Sequence, residues 1–191
     1  MFAHFMPDLS AKLNIPRYDD SLAPFNAKDK FQTEPDRAQR LAQSVEAKNF
    51  FYILLIMKLV DEQRYDLAKE FVDFAASQIK EENSRTLDHI ISKIYFYKGM
   101  IYEKKGILNT LVPELFDAYR LASLRGDQQT MATVLNFILR SYLNDHLYTE
   151  ASNLISICPM PQDASYNQQA RYLLYEARVK AVQVNYPEAQ G

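Results

Sequence analysis

The chain has 191 residues, 48% of them hydrophobic and 24% charged, with a formal net charge of −2 and a pI near 5.9. That is enough apolar material for one domain or one large piece of a repeat array, and the charge balance lacks the basic footprint of a general nucleic-acid binder. A single cysteine, Cys158, excludes an internal disulfide and a cysteine-rich metal site, reads as a small buried apolar residue, and fits a reducing compartment. With only four glycines and no clustered alternation of β-branched residues, the composition favours an all-α chain.

The start, MFAHFMPDLS, has neither the basic nor the long apolar region of a signal peptide. Residues 1–33 hold Pro7, Pro16 and Pro24 and read as an extended or weakly ordered arm, with a short helix near Leu9 to Leu13. Thr33 before Glu34-Pro35-Asp36 reads as a helix cap, with proline and acids in the first turn. The period from Ala38 to Val60 predicts one long helix. Its most apolar run, FFYILLIM (Phe50 to Met57), is far short of the roughly 20 residues of a membrane span, so it reads as a buried helix segment.

The next helix runs from Tyr65 to about Ile79, with Ala68, Phe71, Val72, Ala75 and Ile79 on one face. KEENSR (Lys80 to Arg85) reads as a loop. Asp88 to Glu103 carries two adjacent apolar stripes, as a helix buried between neighbours does, and Gly106 follows as a C-terminal cap. Asn109 to Arg125 is helical, with Pro113 tolerated in its first turn, and stops at Gly126. Asp127 caps a helix whose apolar residues run from Met131 through Leu135 to Leu143. LNDH turns the chain into Tyr148 to Ile157, which Pro159 and Pro161 end. The last predicted helix is Asn167 to Val184, with Ala170, Leu173, Leu174, Ala177, Ala181 and Val184 facing in, before a turn at Tyr186-Pro187.

The turns QRYDLAKEF, GILNTLVPEL, HLYTEASNL and NYPEAQG resemble one another, with Ala68, Leu111, Ala151 and Ala189 at intervals of 43, 40 and 38 residues. A period of about 40 marks a right-handed solenoid of helical hairpins, here 34–191, whose fourth hairpin stops just inside its second helix. The hairpins resemble tetratricopeptide repeats, most clearly at Tyr95, Gly99, Tyr102, Leu115 and Ala118. Glycine inside a helix costs about 1 kcal/mol relative to alanine, so a close approach by the hairpin's second helix is expected at Gly99.

Four stretches carry a narrower resemblance: VEAKNFFYILLIMKLVDEQRYDLAKEF (Val45 to Phe71), RTLDHIISKIYFYKGMIYEKKG (Arg85 to Gly106), VLNFILRSYLNDHLYTEASNLIS (Val134 to Ser156) and ARYLLYEARVKAVQVNYPEA (Ala170 to Ala189). Together they resemble non-ATPase regulatory subunit 3 of the proteasome regulatory-particle lid, collinearly from about Ser44 to Gly191. Residues 1–43 match nothing placed. The resemblance implies a non-catalytic scaffold of the cytoplasm and nucleus, packed beside other lid subunits and serving ubiquitin-dependent degradation. It implies that the PCI module of that family is absent, and it supplies no catalytic residue.

The residues themselves carry no constellation for catalysis, a cofactor or a metal. His4, His89 and His146 lack partners at ligand spacing. The pairs Asp19-Asp20, Asp61-Glu62 and Glu81-Glu82 read as solvated surface, and no glycine-rich loop precedes a helix. The tyrosines of 95–102 read as core rather than as base-stacking platforms. A carboxylate-clamp adaptor is disfavoured by the apolar Phe50, Ile53, Met57 and Val60 on the first hairpin. The first helices of the hairpins are expected to line a groove with Lys93, Phe96, Met100 and Lys104; Thr133, Asn136, Arg140 and Asn144; and Arg171, Leu174, Arg178 and Val182. That set holds five cations and no acid. It suits an acidic, aromatic-bearing segment, and the family resemblance suggests a small, acidic, disordered lid subunit as its source. The alternative is a tetratricopeptide-like adaptor holding an acidic peptide outside the proteasome.

Overall fold

Seven α-helices and two 3-10 turns follow one another without a strand among the described residues of the computed structural model, which are 44–81 and 85–188. The helices are α1 (Val45–Asp61), α2 (Tyr65–Glu81), α3 (Asp88–Lys104), α4 (Val112–Arg125), α5 (Gln128–Asn144), α6 (Tyr148–Ile157) and α7 (Tyr166–Glu188). The predicted arm over 1–33 and the cap at Thr33 lie outside the described residues.

Three hairpins, α1–α2, α3–α4 and α5–α6, close through one kind of turn. Gln63, Gly106 and His146 hold the left-handed backbone, with φ of 57°, 70° and 59°. The N–H of the next residue reaches back across each turn: Arg64 to the carbonyl of Leu59 at 2.9 Å, Ile107 to that of Tyr102 at 3.0 Å, and Leu147 to that of Tyr142 at 2.8 Å. These are the C-terminal caps that satisfy the last carbonyls of a helix. They recur at the same spacing as Ala68, Leu111 and Ala151, so the sequence period is the period of a backbone motif. Gly126 makes the same turn between hairpins, with φ of 71° and Asp127 N–H bonded to Ala122 at 2.9 Å. The Asp127 carboxylate then caps α5 by accepting from Thr130 N–H at 3.1 Å, as expected.

Two predicted boundaries are corrected. The first helix does not run unbroken from Thr33. Ser44 has extended backbone and its hydroxyl accepts from Ala47 N–H at 3.2 Å, so α1 starts at Val45. At the other end, α7 continues to Glu188 instead of turning at Tyr186-Pro187. The period would place the left-handed turn residue at Val184, and a β-branched residue disfavours that region.

Each joint between hairpins has its own chemistry. Between the first and second, Lys98 of α3 is almost fully buried, with Nζ 3.0 Å from Asp73 of α2 and 2.7 Å from Glu114 of α4. Tyr102 donates to both Asp73 oxygens at 2.9 Å, and Lys69 lies 3.0 Å from the same carboxylate. Burial alone would raise the Asp73 carboxyl. The hydrogen bonds from Lys69, Lys98 and Tyr102 and the charge of Lys98 outweigh it and hold the group below its ordinary value. Between the second and third hairpins, the Phe137 ring of α5 sits where a Gly99 β-carbon would be, 2.6 Å away. The close approach expected at Gly99 is therefore real, but it comes from the next hairpin and not from α4. Beyond α6, the Gln128 side chain accepts from Asp163 N–H and donates to its carboxylate, both at 2.9 Å, and Gln129 donates to the Asp163 carbonyl at 2.8 Å. These bonds hold the proline-containing connection against the start of α5.

The core follows the predicted stripes on α2 and α5, but the apolar run of α1 is only half core: Tyr52, Ile53, Ile56 and Leu59 are buried, whereas Val45, Phe50, Phe51, Leu54 and Met57 are exposed, which corrects the reading of FFYILLIM as a buried segment. Ala68, Phe71, Val72, Ala75 and Ile79 are buried on α2, and Leu135, Ile138 and Leu139 are wholly buried on α5. On α7 the prediction is overturned. Gln168, Tyr172 and Val179 face the array, whereas Ala170, Leu173, Leu174, Ala177 and Ala181 are exposed.

Three expectations follow. Leu135→Ala should cost roughly 2–5 kcal/mol in urea unfolding, since the site is enclosed on all sides. Gly99→Ala should destabilise by more than the gain in helix propensity, and Phe137→Leu should recover part of the loss in a double-mutant cycle. Because the folded pKa of Asp73 is depressed, its contribution is present above the ordinary carboxylate pKa of about 3.9 and is lost as pH falls below that through the folded value. Asp73→Asn should therefore lower stability at pH 7 and flatten the acid limb of a stability–pH curve.

Candidate partner-binding surface

The residues expected to line a groove fall into three groups. The first is exposed: Lys93 and Lys104 of α3, Asn144 of α5, and Leu174 and Arg178 of α7. Among the described residues Lys93, Lys104 and Arg178 have no ion-pair partner. Phe96, Met100 and Val182 are half-buried beside them.

The second group is already engaged within the chain. Arg140 Nε lies 3.0 Å from Glu103 Oε1, joining α5 to α3. The row is therefore not free of acids: Glu103 was missed because it falls eight residues after the anchor Tyr95, one short of the chosen register. The Arg171 guanidinium sits 5.5 Å from the centre of the Phe96 ring, linking α7 to α3 as a cation over an aromatic face. Phe96 also packs against Phe137, with ring centres 6.0 Å apart.

Thr133 and Asn136 form the third group and do not line a surface, which corrects the expectation. Both are buried, because α7 lies over this part of α5. They belong to a polar ladder. Asn136 Nδ2 donates to Gln168 Oε1 at 2.7 Å and to the Gln168 carbonyl at 2.9 Å. Gln168 Nε2 donates to Thr133 Oγ1 at 3.1 Å, and the Thr133 and Ser92 hydroxyls share a hydrogen bond at 3.0 Å in which either oxygen can be the donor. Four side chains, Asn136, Gln168, Thr133 and Ser92, thus link α7, α5 and α3. Buried polar groups require such partners. Thr133 and Asn136 were assigned to solvent because sequence shows their polarity and not the helix that covers them.

A half-open cavity of about 40 Å³, lined by Ile79, Ile91, Tyr95, Leu121, Arg125 and Thr130, has room for a few waters and is far below the few hundred Å³ of a small-molecule site. No group of three or more His, Cys, Asp or Glu side chains among the described residues could hold a metal ion, and no described helix is long and apolar enough to cross a membrane. What the first helices offer is a row of cations and adaptable apolar side chains on a backbone fixed by the ladder.

Residues 3–191 match the family model described as PSMD3-like, N-terminal TPR repeats. Residues 1–43, unplaced from sequence, thus fall almost entirely inside the family match. The chain is similar to the 26S proteasome non-ATPase regulatory subunit 3 of Dictyostelium discoideum, 32% identical over 146 residues covering 76% of this chain and 29% of that protein. It is 36% identical to the Drosophila melanogaster protein named as a probable subunit 3, over 78% of this chain and 30% of that one. For homolog A of Arabidopsis thaliana the identity is 31%, over 85% and 35%. The chain spans about three tenths of the length of these relatives.

Removing the ladder's centre should expose its cost. Gln168→Leu removes the side-chain partner of Asn136 and Thr133, leaving them only the residue 168 carbonyl and Ser92, and should destabilise by about 1–3 kcal/mol. Asn136→Leu combined with Gln168→Leu should be less damaging than the two separate losses together, by at least about 0.5 kcal/mol, which chemical denaturation will read directly.

Proposed function

The chain belongs to the family of PSMD3-like N-terminal TPR repeats, and from that membership we propose that it works as a non-catalytic scaffold in the lid of the proteasome regulatory particle. In this reading its hairpins hold other lid subunits by protein–protein contact and so support ubiquitin-dependent protein degradation in the cytoplasm and nucleus. The observation that carries the reading is the family match, which spans nearly the whole chain and whose relatives are named as regulatory subunits. The architecture supports it: three hairpins, each locked to the next by a different contact, give a surface that keeps its shape when a partner binds.

The exposed row offers a place for one such partner. Lys93, Lys104 and Arg178 supply uncompensated charge, while Met100 and Leu174 supply apolar contact between them. An acidic segment bearing aromatic residues complements both features, with carboxylates meeting the cations; a small, acidic, disordered lid subunit has that chemistry. Arg140 and Arg171 contribute less in this account, because Glu103 and Phe96 already occupy them.

Tagged chain recovered from cell lysate should bring down lid subunits. Recovery of chaperones without any proteasome subunit would contradict the scaffold reading. For the row itself, titration calorimetry with an acidic, aromatic-containing peptide should show binding that weakens with added salt. Lys104→Glu with Arg178→Glu should weaken it several-fold, as expected for exposed charge pairs worth a few tenths to about 1 kcal/mol each. Equal affinity for variant and wild type would remove the row as the site.

A further inference from the structure

The half-open cavity where the second hairpin meets the third has a mixed lining. Ile79 of α2, Ile91 of α3 and Leu121 of α4 give it apolar walls, while Tyr95 of α3 and Asp127 and Thr130 at the start of α5 bring polar groups to it. Two of those groups are short of partners. Thr130 is 2% exposed, and its hydroxyl oxygen is buried with no hydrogen-bond partner among the described residues. Asp127 is 7% exposed, and among the described residues its carboxylate accepts one hydrogen bond, from Thr130 N–H at 3.1 Å. Buried polar groups of this kind cost free energy unless a partner satisfies them.

The next joint shows what differs here. Counted from Leu135 and Leu173, Thr130 of α5 corresponds to Gln168 of α7. The Gln168 side chain is long enough to bond Asn136 and Thr133 directly across its joint, at 2.7 and 3.1 Å. The threonine hydroxyl stands closer to its own backbone, so the same link at the earlier joint needs a bridge. Size selects that bridge. The cavity volume of about 40 Å³ holds roughly two or three waters at about 10–15 Å³ each, and a buried water takes two to four polar partners. The Thr130 hydroxyl and the Asp127 carboxylate supply two. Burial, helped by the charge of Glu114, pushes the Tyr95 phenol above its ordinary value, so at neutral pH it keeps its proton and can donate.

We infer that this cavity is a water-binding site, in which ordered water held by Thr130 and Asp127 bridges to Tyr95 and completes the joint between the second and third hairpins. The joint then has a dry contact, Phe137 against Gly99, and a wet one nearer the starts of the same two helices, α3 and α5. Water does at this joint what the Gln168 amide does at the next.

Magnetic relaxation dispersion of the solvent oxygen tests this. It counts waters held longer than the protein takes to tumble, and it does not see protein hydroxyls. The wild-type amplitude should fall by about one or two waters in Thr130→Val and be retained in Thr130→Ser. Thr130→Val keeps the side-chain shape and the backbone bond to Asp127. In urea unfolding it should therefore lower the folding equilibrium constant about three- to tenfold, the loss expected for one hydrogen bond. Ser77→Ala, which removes an exposed hydroxyl on α2, should leave the dispersion as it is. Equal amplitudes for wild type and Thr130→Val would overturn the inference. So would a folding constant that stays the same or rises in Thr130→Val, the result for a buried hydroxyl that nothing satisfies.

Discussion

The Phe137 ring occupies the space that a β-carbon at Gly99 would fill, and that contact joins two hairpins rather than two halves of one. A helical hairpin has more apolar surface than its own two helices can cover, so each depends on the next for burial. Gly99 gives up helix propensity to let α5 approach α3, and the approach in turn encloses Leu135, Ile138 and Leu139. The other joints follow the same logic with different chemistry. Lys98 draws Asp73 and Glu114 together across three helices, and Gln168 threads a hydrogen-bond chain from α7 to Ser92. Because the joints differ, one hairpin cannot replace another in the stack, and the order of the array is fixed by specific partners as well as by apolar area.

The proposed function rests on what the joints leave outside. The polar ladder and the Arg171–Phe96 contact lie under and beside the row formed by Lys93, Met100, Lys104, Leu174 and Arg178. They fix the spacing between α3, α5 and α7, and with it the spacing between exposed charges. A partner that is itself extended and acidic would meet a surface already arranged, so little ordering of this chain opposes binding. The Arg140–Glu103 pair tempers the charge at the middle of the row, leaving Lys93, Lys104 and Arg178 as its unpaired cations among the described residues.

The repeat was legible in the sequence because it rests on backbone. The left-handed residues Gln63, Gly106 and His146 fall at the spacing already visible in Ala68, Leu111 and Ala151, and the caps at Asp127 and Gly126 read directly from residue type. The faces of α2 and α5 were legible because apolar period and burial coincide there. What sequence could not show was which neighbour covers which face. Thr133 and Asn136 look like surface until α7 lies over them, and Leu173 and Ala177 look like core although no described helix covers them. The same limit misplaced the source of the contact at Gly99. Hydrophobic period reports which side of a helix is apolar; it does not report whether something packs on that side.

The proposed role requires that the first-helix row of this array meet a lid partner. A photo-crosslinking amino acid placed at Met100 or Leu174, in chain expressed in cells, tests it most directly. The account predicts that both positions capture a proteasome lid subunit, while the same probe at Arg120, exposed on the second helix α4, captures none. Capture of lid subunits from Arg120 alone, with nothing at Met100 or Leu174, would contradict it.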